Sequence, residues 1–330
     1  MMERGVAFLL QRQGADGCWR DFLTLAGEGV DWPTGFVAAQ LTAVGAERGH
    51  LEQAVRALVA TQHRDGGWGY HGRVPTDADS TACALLFLAA LGPAGEHVER
   101  AAACLVRHQD PASGGLPTYR EPGPIRAFMR LDRTQELRGW CSPHLEVTAT
   151  AGCALVAAGD AFRDAATAAW HYVRSRQHDD GSWHSYWWTS AHYPTLQAAR
   201  LARALGDGEP AARAADWALR TQLDDGGWAA PGAAVSPFAT ALSISILACA
   251  GKLGPPAMRA VERLRALQEP DGSWPTHPMM RIAPPDVAEP DDHRAWRSDA
   301  LGTGVVISDQ HRLFTSAACV AALGLAGAQL

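Results

Sequence analysis

Two carboxylates, Asp77 and Asp79, stand just before the apolar run Thr81–Gly92. Paired carboxylates at a helix start can do one of two things. They can cap the helix, because a side-chain oxygen there accepts an otherwise orphaned amide. Or, if burial and mutual repulsion lift the pKa of one of them, that one keeps its proton near neutral pH and serves as a general acid. His144 and Glu146 stand in the same relation to Thr148 as Asp77 and Asp79 do to Thr81. They are the further groups that could tune or re-protonate such an acid.

The elements that must position these residues are marked by repetition, which is sought first in a chain of this length. Gln13…Asp16-Gly17-Cys18-Trp19 returns as Gln62…Trp68, Gln177…Trp183, Gln222…Trp228 and Gln268…Trp274, with Gln and Trp six apart each time. A degenerate copy at Gln109–Gly115 lacks the Trp. Thr34, Thr81, Thr148, Thr195, Thr240 and Thr315 each precede an Ala-rich run, and Thr is a good N-cap. These runs are apolar all round and should be buried on both faces. Amphipathic segments ending at the repeated Gln residues should form outer helices. The expected fold is all-α: an (α/α)6 barrel, or toroid, spanning residues 1–330 as one domain, with the N-terminal outer helix pairing with the last inner helix. Ring closure hides the end faces that an open solenoid must cap. The Gln and Trp residues of the turns are expected to be structural.

All inner helices should start at one mouth. Two positions before each Thr lie Trp32, Asp79, Glu146, Tyr193, Phe238 and Leu313; four before lie Val30, Asp77, His144, Ala191, Ser236 and His311. Aromatics around two carboxylates suit an apolar pocket with a few placed polar groups. The steps between successive Thr residues are 47, 67, 47, 45 and 75. The extra length falls in two insertions, about 116–143 and 275–310, read as lids over that mouth rather than idle loops.

Composition narrows the partners. The net charge of −6 leaves no basic excess for nucleic acid. The seven scattered cysteines, without a CxxC, read as reduced thiols of a cytoplasmic protein. Met1–Gln13, broken by Glu3, Arg4 and Arg12, does not read as a secretory leader. No run reaches the roughly 20 apolar residues of a membrane span, so membrane contact would be peripheral.

The Gln/Trp turns resemble the QW repeats of squalene-hopene and oxidosqualene cyclases, the class II terpene cyclases; the same superfamily includes prenyltransferase β subunits. Asp77-Ala78-Asp79-Ser80-Thr81-Ala82 resembles the cyclase motif Asp-x-Asp-Asp-Thr-Ala, with Ser80 in place of the third Asp. The resemblance implies that Asp79 protonates an alkene of a polyprenyl or prenylated-aromatic substrate. It also implies that a His should anchor the acid; Thr150 stands there, and His144 or Glu146 is the expected substitute. Trp183–Trp188 resembles a stretch carrying a cavity tryptophan, which points to Trp187. Trp32, Trp187, Trp188, Tyr193, Phe238, Phe314 and His311 are the expected substrate-contacting residues, their π faces holding a cation. Such chemistry needs no metal or other cofactor; with a diphosphate substrate, Arg120, Arg126, Arg130 and Arg133 would hold the head group and Mg²⁺ could assist. Three alternatives stand beside this reading. Asp16, Cys18 and His311 would serve a zinc prenyltransferase-like barrel. The ring could be a binding barrel without catalysis. Or it could run another acid-initiated reaction, such as hydration.

Overall fold

The computed structural model describes residues 1–92, 95–298 and 300–329, so residue 299 of the second insertion lies outside the described residues. Among them are fourteen α-helices: α1 (Met2–Gln11), α2 (Asp31–Ala43), α3 (Arg48–Thr61), α4 (Ala78–Ala90), α5 (Glu96–His108), α6 (Pro122–Met129), α7 (Arg138–Cys141), α8 (Leu145–Ala158), α9 (Arg163–Arg174), α10 (His192–Ala204), α11 (Gly208–Thr221), α12 (Pro237–Cys249), α13 (Pro255–Leu267) and α14 (Leu313–Gln329). Helices α2, α4, α8, α10, α12 and α14 pack in that order, and α14 returns to α2, so the inner ring is closed. The remaining long helices pack outside it, with α1 against α14. This is the expected α/α toroid of six helix pairs.

The repeated residues build the ring through a small set of bonds. Each repeat Trp is fully buried, and its indole N–H donates 2.7–2.8 Å to a carbonyl near the end of its own outer helix. Its backbone amide donates to a hydroxyl on the next inner helix: Trp19 to Thr34, Trp68 to Thr81, Trp183 to Thr195 and Trp228 to Thr240, at 3.0–3.1 Å. In the degenerate copy Leu116 takes the place of Trp and donates 2.8 Å to Thr148. Each Gln amide donates to the turn carbonyl and to the start of the following outer helix, as Gln62 does to Gly66 and His97. Gln268 makes the same pair with Gly272 and Met1, which fastens the last turn to the first helix. The turn Gly is obligatory: Gly272 has φ +91, and a Cβ there would lie 2.4 Å from the Arg4 carbonyl oxygen.

Two expectations are corrected here. The Thr residues are not N-caps; the first five sit three residues inside their helices, as Thr81 in the helix beginning at Ala78, and Thr315 two residues inside α14. The caps lie earlier, and Asp77 and Ser236 make them with their side chains. In the last repeat the position belongs to Ser316, not Thr315, because the Trp274 amide donates to the Ser316 hydroxyl at 3.3 Å. That one-residue shift puts Phe314, rather than Leu313, at the rim.

Short strands cross the mouth. A hairpin, β1 (Asp21–Thr24) with β2 (Gly27–Gly29), precedes α2. The second insertion folds as β3 (Met280–Ile282), β4 (Arg297–Ser298) and β5 (Val305–Ile307), ordered β3-β5-β4. The first insertion carries α6 and α7. The two insertions clasp each other: Gly139 N donates to Pro285 O at 2.8 Å and the Trp140 indole to Ala283 O at 3.0 Å.

Replacing Gln268 with Leu removes both bonds that tie Gly272 to Met1. The expected loss is about 1–3 kcal/mol in urea unfolding, while the same change at an exposed residue such as Gln11 leaves the midpoint in place. An unchanged midpoint for Gln268→Leu would show that ring closure rests on packing alone.

Candidate active site

The mouth holds a chamber whose floor is the first turn of α4. Asp77, Asp79 and Ser80 lie on the floor, Trp32 and Tyr70 on one wall, Thr118, Tyr119 and Trp140 on another, and Trp187 and Trp188 between. Ile125, Met129, Met280 and Ile282 come down from the two insertions, and Thr24–Ala26 from the hairpin. The aromatic rings interlock, with Trp32–Tyr70 centroids 5.9 Å apart and Trp140–Trp187 6.4 Å.

The two aspartates divide the two roles that sequence left open. Asp77 caps α4: one oxygen accepts the Ser80 amide and the other the Ser80 hydroxyl, both at 2.7 Å. Ser80 therefore has a task of its own. Asp79 is free. It lines the chamber, and its Oδ1 is buried with no hydrogen-bond partner among the described residues. Burial pushes its carboxyl far above the usual range; the charges of Asp77 and Glu146 push it further, and only Trp32 opposes them. Burial also lifts Asp77, to about 7.

Glu146 and His144 do not anchor Asp79. Glu146, 1% exposed, accepts the backbone amides of Tyr186 at 3.1 Å and Trp187 at 2.6 Å. It fixes the tryptophan loop and acts on Asp79 through its charge. His144 Nε2 faces the Gly139 carbonyl at 2.7 Å, so that nitrogen carries the proton, and Nδ1 accepts from the Thr118 hydroxyl at 2.8 Å. Thr118 in turn accepts from the Trp187 indole at 2.8 Å. Burial lowers the His144 pKa, which keeps the ring neutral in this chain of bonds. Thr150, in place of the anchor, donates to the Glu146 carbonyl.

The aromatic candidates separate into two layers. Trp32, Trp187 and Trp188 line the chamber. Tyr193, Phe238 and Phe314 lie behind them: Trp188 stacks on Tyr193 at 4.3 Å and on Phe238 at 5.3 Å, and Phe314 sits 4.4 Å from Trp32. His311 is outside the chamber, its side chain 45% exposed and 3.2 Å from Glu28. Tyr70, Tyr119 and Trp140 were missed from sequence because Tyr70 and Tyr119 lie in irregular segments and Trp140 in the short helix α7, all outside the repeat register; the signal available was the density of aromatics in and beside the insertions.

The arginines of the first insertion do not converge on the chamber. Arg126 donates to the Asp132 and Gln135 carbonyls, and Arg120 lies 3.6 Å from Glu121. Arg130 closes α6 in a left-handed conformation, and Arg133 is exposed. Nor do Asp16, Cys18 and His311 form a ligand set. Asp16 pairs with Arg20, burial pushes the Cys18 thiol up to about 11, and no group of three His, Cys, Asp or Glu side chains arranged for a metal occurs among the described residues.

The sequence matches the family described as Prenyltransferase alpha-alpha toroid domain over residues 2–117, 133–230 and 183–296. The chain belongs to that family. Within it, this toroid is 31% identical over 236 residues to drimenyl diphosphate synthase of Streptomyces showdoensis, covering 67% of the chain and 40% of that protein. It is 34% identical over 122 residues to squalene–hopene cyclase of Bradyrhizobium diazoefficiens, covering 31% of the chain and 18% of that protein. The chain thus spans less than half the length of these curated relatives. The type II terpene cyclase MstE from Scytonema matches end to end, with TM-score 0.87, 28% identity, and coverage of 100% of this toroid and 98% of MstE. MstE has also been solved with geranylgeranyl dihydroxybenzoate and with merosterolic acid A.

The buried carboxylates have a measurable signature. The folded pKa values of Asp77 and Asp309 are about 7 and about 8, against about 3.9 unfolded. The native state therefore holds more protons than the unfolded chain above about pH 4, so these groups favour folding at low pH and lose that contribution as pH rises through the folded values. Histidines lowered by burial, such as His192 at about 3, act in the opposite sense only below about pH 6.5. Stability should thus fall between about pH 7 and about pH 8.5, and Asp309→Asn should flatten the fall. Urea midpoints of both proteins at the two pH values check this, and a wild-type midpoint that rises over the interval contradicts it.

Proposed function

We propose that this toroid is a class II, protonation-initiated terpene cyclase, with Asp79 as the general acid. One observation carries the reading. Asp79 is the carboxyl left unpaired on the floor of an aromatic chamber, in surroundings that keep it protonated. Its proton passes to the terminal alkene of a linear polyprenyl chain folded in the chamber, and the new C–H bond leaves a tertiary cation. Trp32, Trp187 and Trp188 present π faces to the migrating charge, each worth about 0.5–2 kcal/mol. The carboxylate left behind sits at the N-terminal end of α4, where the helix dipole favours a negative charge. Loss of a proton from the final cation completes an isomerisation, and the chemistry calls for no cofactor.

A prenylated aromatic is the substrate class we favour, because MstE is matched along its whole length and binds geranylgeranyl dihydroxybenzoate. The dispersal of Arg120, Arg126, Arg130 and Arg133 supports the same choice over a diphosphate, for which Mg²⁺ would assist. A cytoplasmic location remains part of the proposal; all seven cysteines are unpaired thiols, and among the described residues no helix is long and apolar enough to cross a membrane.

Metal-free incubation of wild type and Asp79→Asn with geranylgeranyl and farnesyl aromatics, and with the corresponding diphosphates, tests this by mass spectrometry. Wild type should give a cyclised isomer of unchanged mass, and Asp79→Asn at least about 10³-fold less. Equal product from both would remove Asp79 from the mechanism. Binding without conversion by a folded wild type would favour a binding barrel.

A further inference from the structure

Two polar atoms in the first layer of the ring are enclosed and have no hydrogen-bond partner among the described residues: Oδ1 of Asp79 and the indole Nε1 of Trp32. One is an acceptor and the other a donor. Buried groups of either kind are ordinarily paired, and a buried N–H left unpaired is costly. Trp32 stands two positions before Thr34 as Asp79 stands two before Thr81, so the pair are neighbours in one layer. Their helices, α2 and α4, pack directly against each other, and both side chains line the chamber.

The orientation of the indole follows from what surrounds it. Asp79 and Cys83 lie one turn apart on the same face of α4, and the Trp32 indole opposes the effect of burial at both groups, so its N–H runs along that face. The ring cannot swing away. Phe314, Phe22, Tyr70 and Trp188 hold it at centroid distances of 4.4, 5.4, 5.9 and 6.3 Å. Trp32 itself is 3% exposed. Asp79 is half-buried while its Oδ1 is enclosed, which leaves Oδ2 as the oxygen that meets the chamber. The other polar groups nearby are engaged: Asp77 with Ser80, Thr150 with the Glu146 carbonyl, and Glu146 with the amides of Tyr186 and Trp187.

We propose that the Trp32 indole N–H holds Asp79 as its proton leaves, closing on Oδ1 while Oδ2 delivers the proton to the alkene. The proposal rests on the acid reading of Asp79. The O–H bond at Oδ2 breaks, a C–H bond forms on the alkene, and the indole proton stays on its nitrogen throughout. A hydrogen bond to a carboxylate is about twice as strong as one to a neutral carbonyl oxygen. The interaction therefore grows as charge develops, and it lowers the barrier more than it steadies the resting acid. Packing has aimed the donor beforehand, so no reorganisation is needed at the moment of transfer. An indole adds no second titrating group beside the acid. In this role Trp32 acts through Asp79 and is a positioning residue, apart from the π face it offers the cation.

Replacing Trp32 by benzothienylalanine separates the two roles, because sulfur takes the place of the N–H while the shape and π face of the ring remain. Single-turnover cyclisation should slow by about tenfold or more, with KM within about twofold of wild type. Trp32→Phe should slow it at least as much and carries the rate test if the sulfur variant does not fold. Infrared spectra give a readout without substrate. The carboxylic acid band of Asp79, assigned by its loss in Asp79→Asn, should move to higher wavenumber in the sulfur variant as the donor on Oδ1 disappears. A folded sulfur variant that cyclises at the wild-type rate, or whose band stays in place, overturns the role of the indole N–H and leaves Asp79 as the acid. A wild type without that band, or an Asp79→Asn protein as active as wild type, overturns the acid reading and this proposal with it.

Discussion

A threonine or serine hydroxyl three residues into each inner helix accepts the backbone amide that begins the loop before it, and most of the architecture follows from this one bond. Because it recurs in every repeat, each inner helix starts at the same height and points its N-terminus to the same mouth. The indole of the same Trp ties the loop back to its outer helix. Loss of the Trp in the third repeat is tolerated because the bond to Thr148 comes from the backbone, which Leu116 supplies equally well. Side chains two positions before the hydroxyl then fall into one layer around the axis. Asp79 belongs to that layer, so its position is a property of the ring rather than of any loop.

Placing six helix N-termini around one opening has an electrostatic consequence. Each contributes unsatisfied amides and the positive end of a dipole. Carboxylates gather there: Asp31 and Asp79 in the first turns of α2 and α4, Asp77 capping α4, and Asp21 and Asp309 accepting amides at the start of α14. All five are raised by burial, so the dipoles reduce the desolvation cost without removing it. The difference between them lies in hydrogen bonds. Asp77 spends both oxygens on Ser80, and Asp21 accepts three amides, whereas Asp79 Oδ1 has no partner among the described residues. Hydrogen bonds favour the charged form, so withholding them from one carboxyl of the set keeps that carboxyl an acid.

The ring and the location of the acid were legible in sequence because both follow a period. The Gln, Gly, Trp and Thr positions recur, and whatever sits at a fixed offset from them can be placed. The reading failed where the period did. In the last repeat Ser316 carries the hydroxyl beside an equally plausible Thr315, so the register slipped by one and His311 was drawn into the rim. The roles of His144 and Glu146 could not be read at all, since their partners, Gly139, Thr118 and the amides of Tyr186 and Trp187, are backbone groups or residues of irregular loops. The hairpin at Asp21–Gly29 was missed for a related reason: its turn is short and its strands do not alternate clearly between apolar and polar residues.

The surroundings of Asp79 bear on what the chamber can hold. Above Asp79 the lining is mostly indole, phenol and aliphatic carbon, and the two insertions, which supply Ile125, Met129, Trp140, Met280 and Ile282 to it, are held together by the Gly139 amide and the side chains of Arg138 and Trp140. Specificity for the length and head of a ligand is therefore free to change with the insertions while the acid and its surroundings stay put. Below Asp79 the inner helices are packed with Phe36, Leu196, Leu242, Ala318 and Ala321, and Gln40, Gln197, Arg200 and Ser245 lie among them. Apolar side chains thus stand on both sides of the acid, and a carboxyl held between them keeps its proton because burial penalises its charged form.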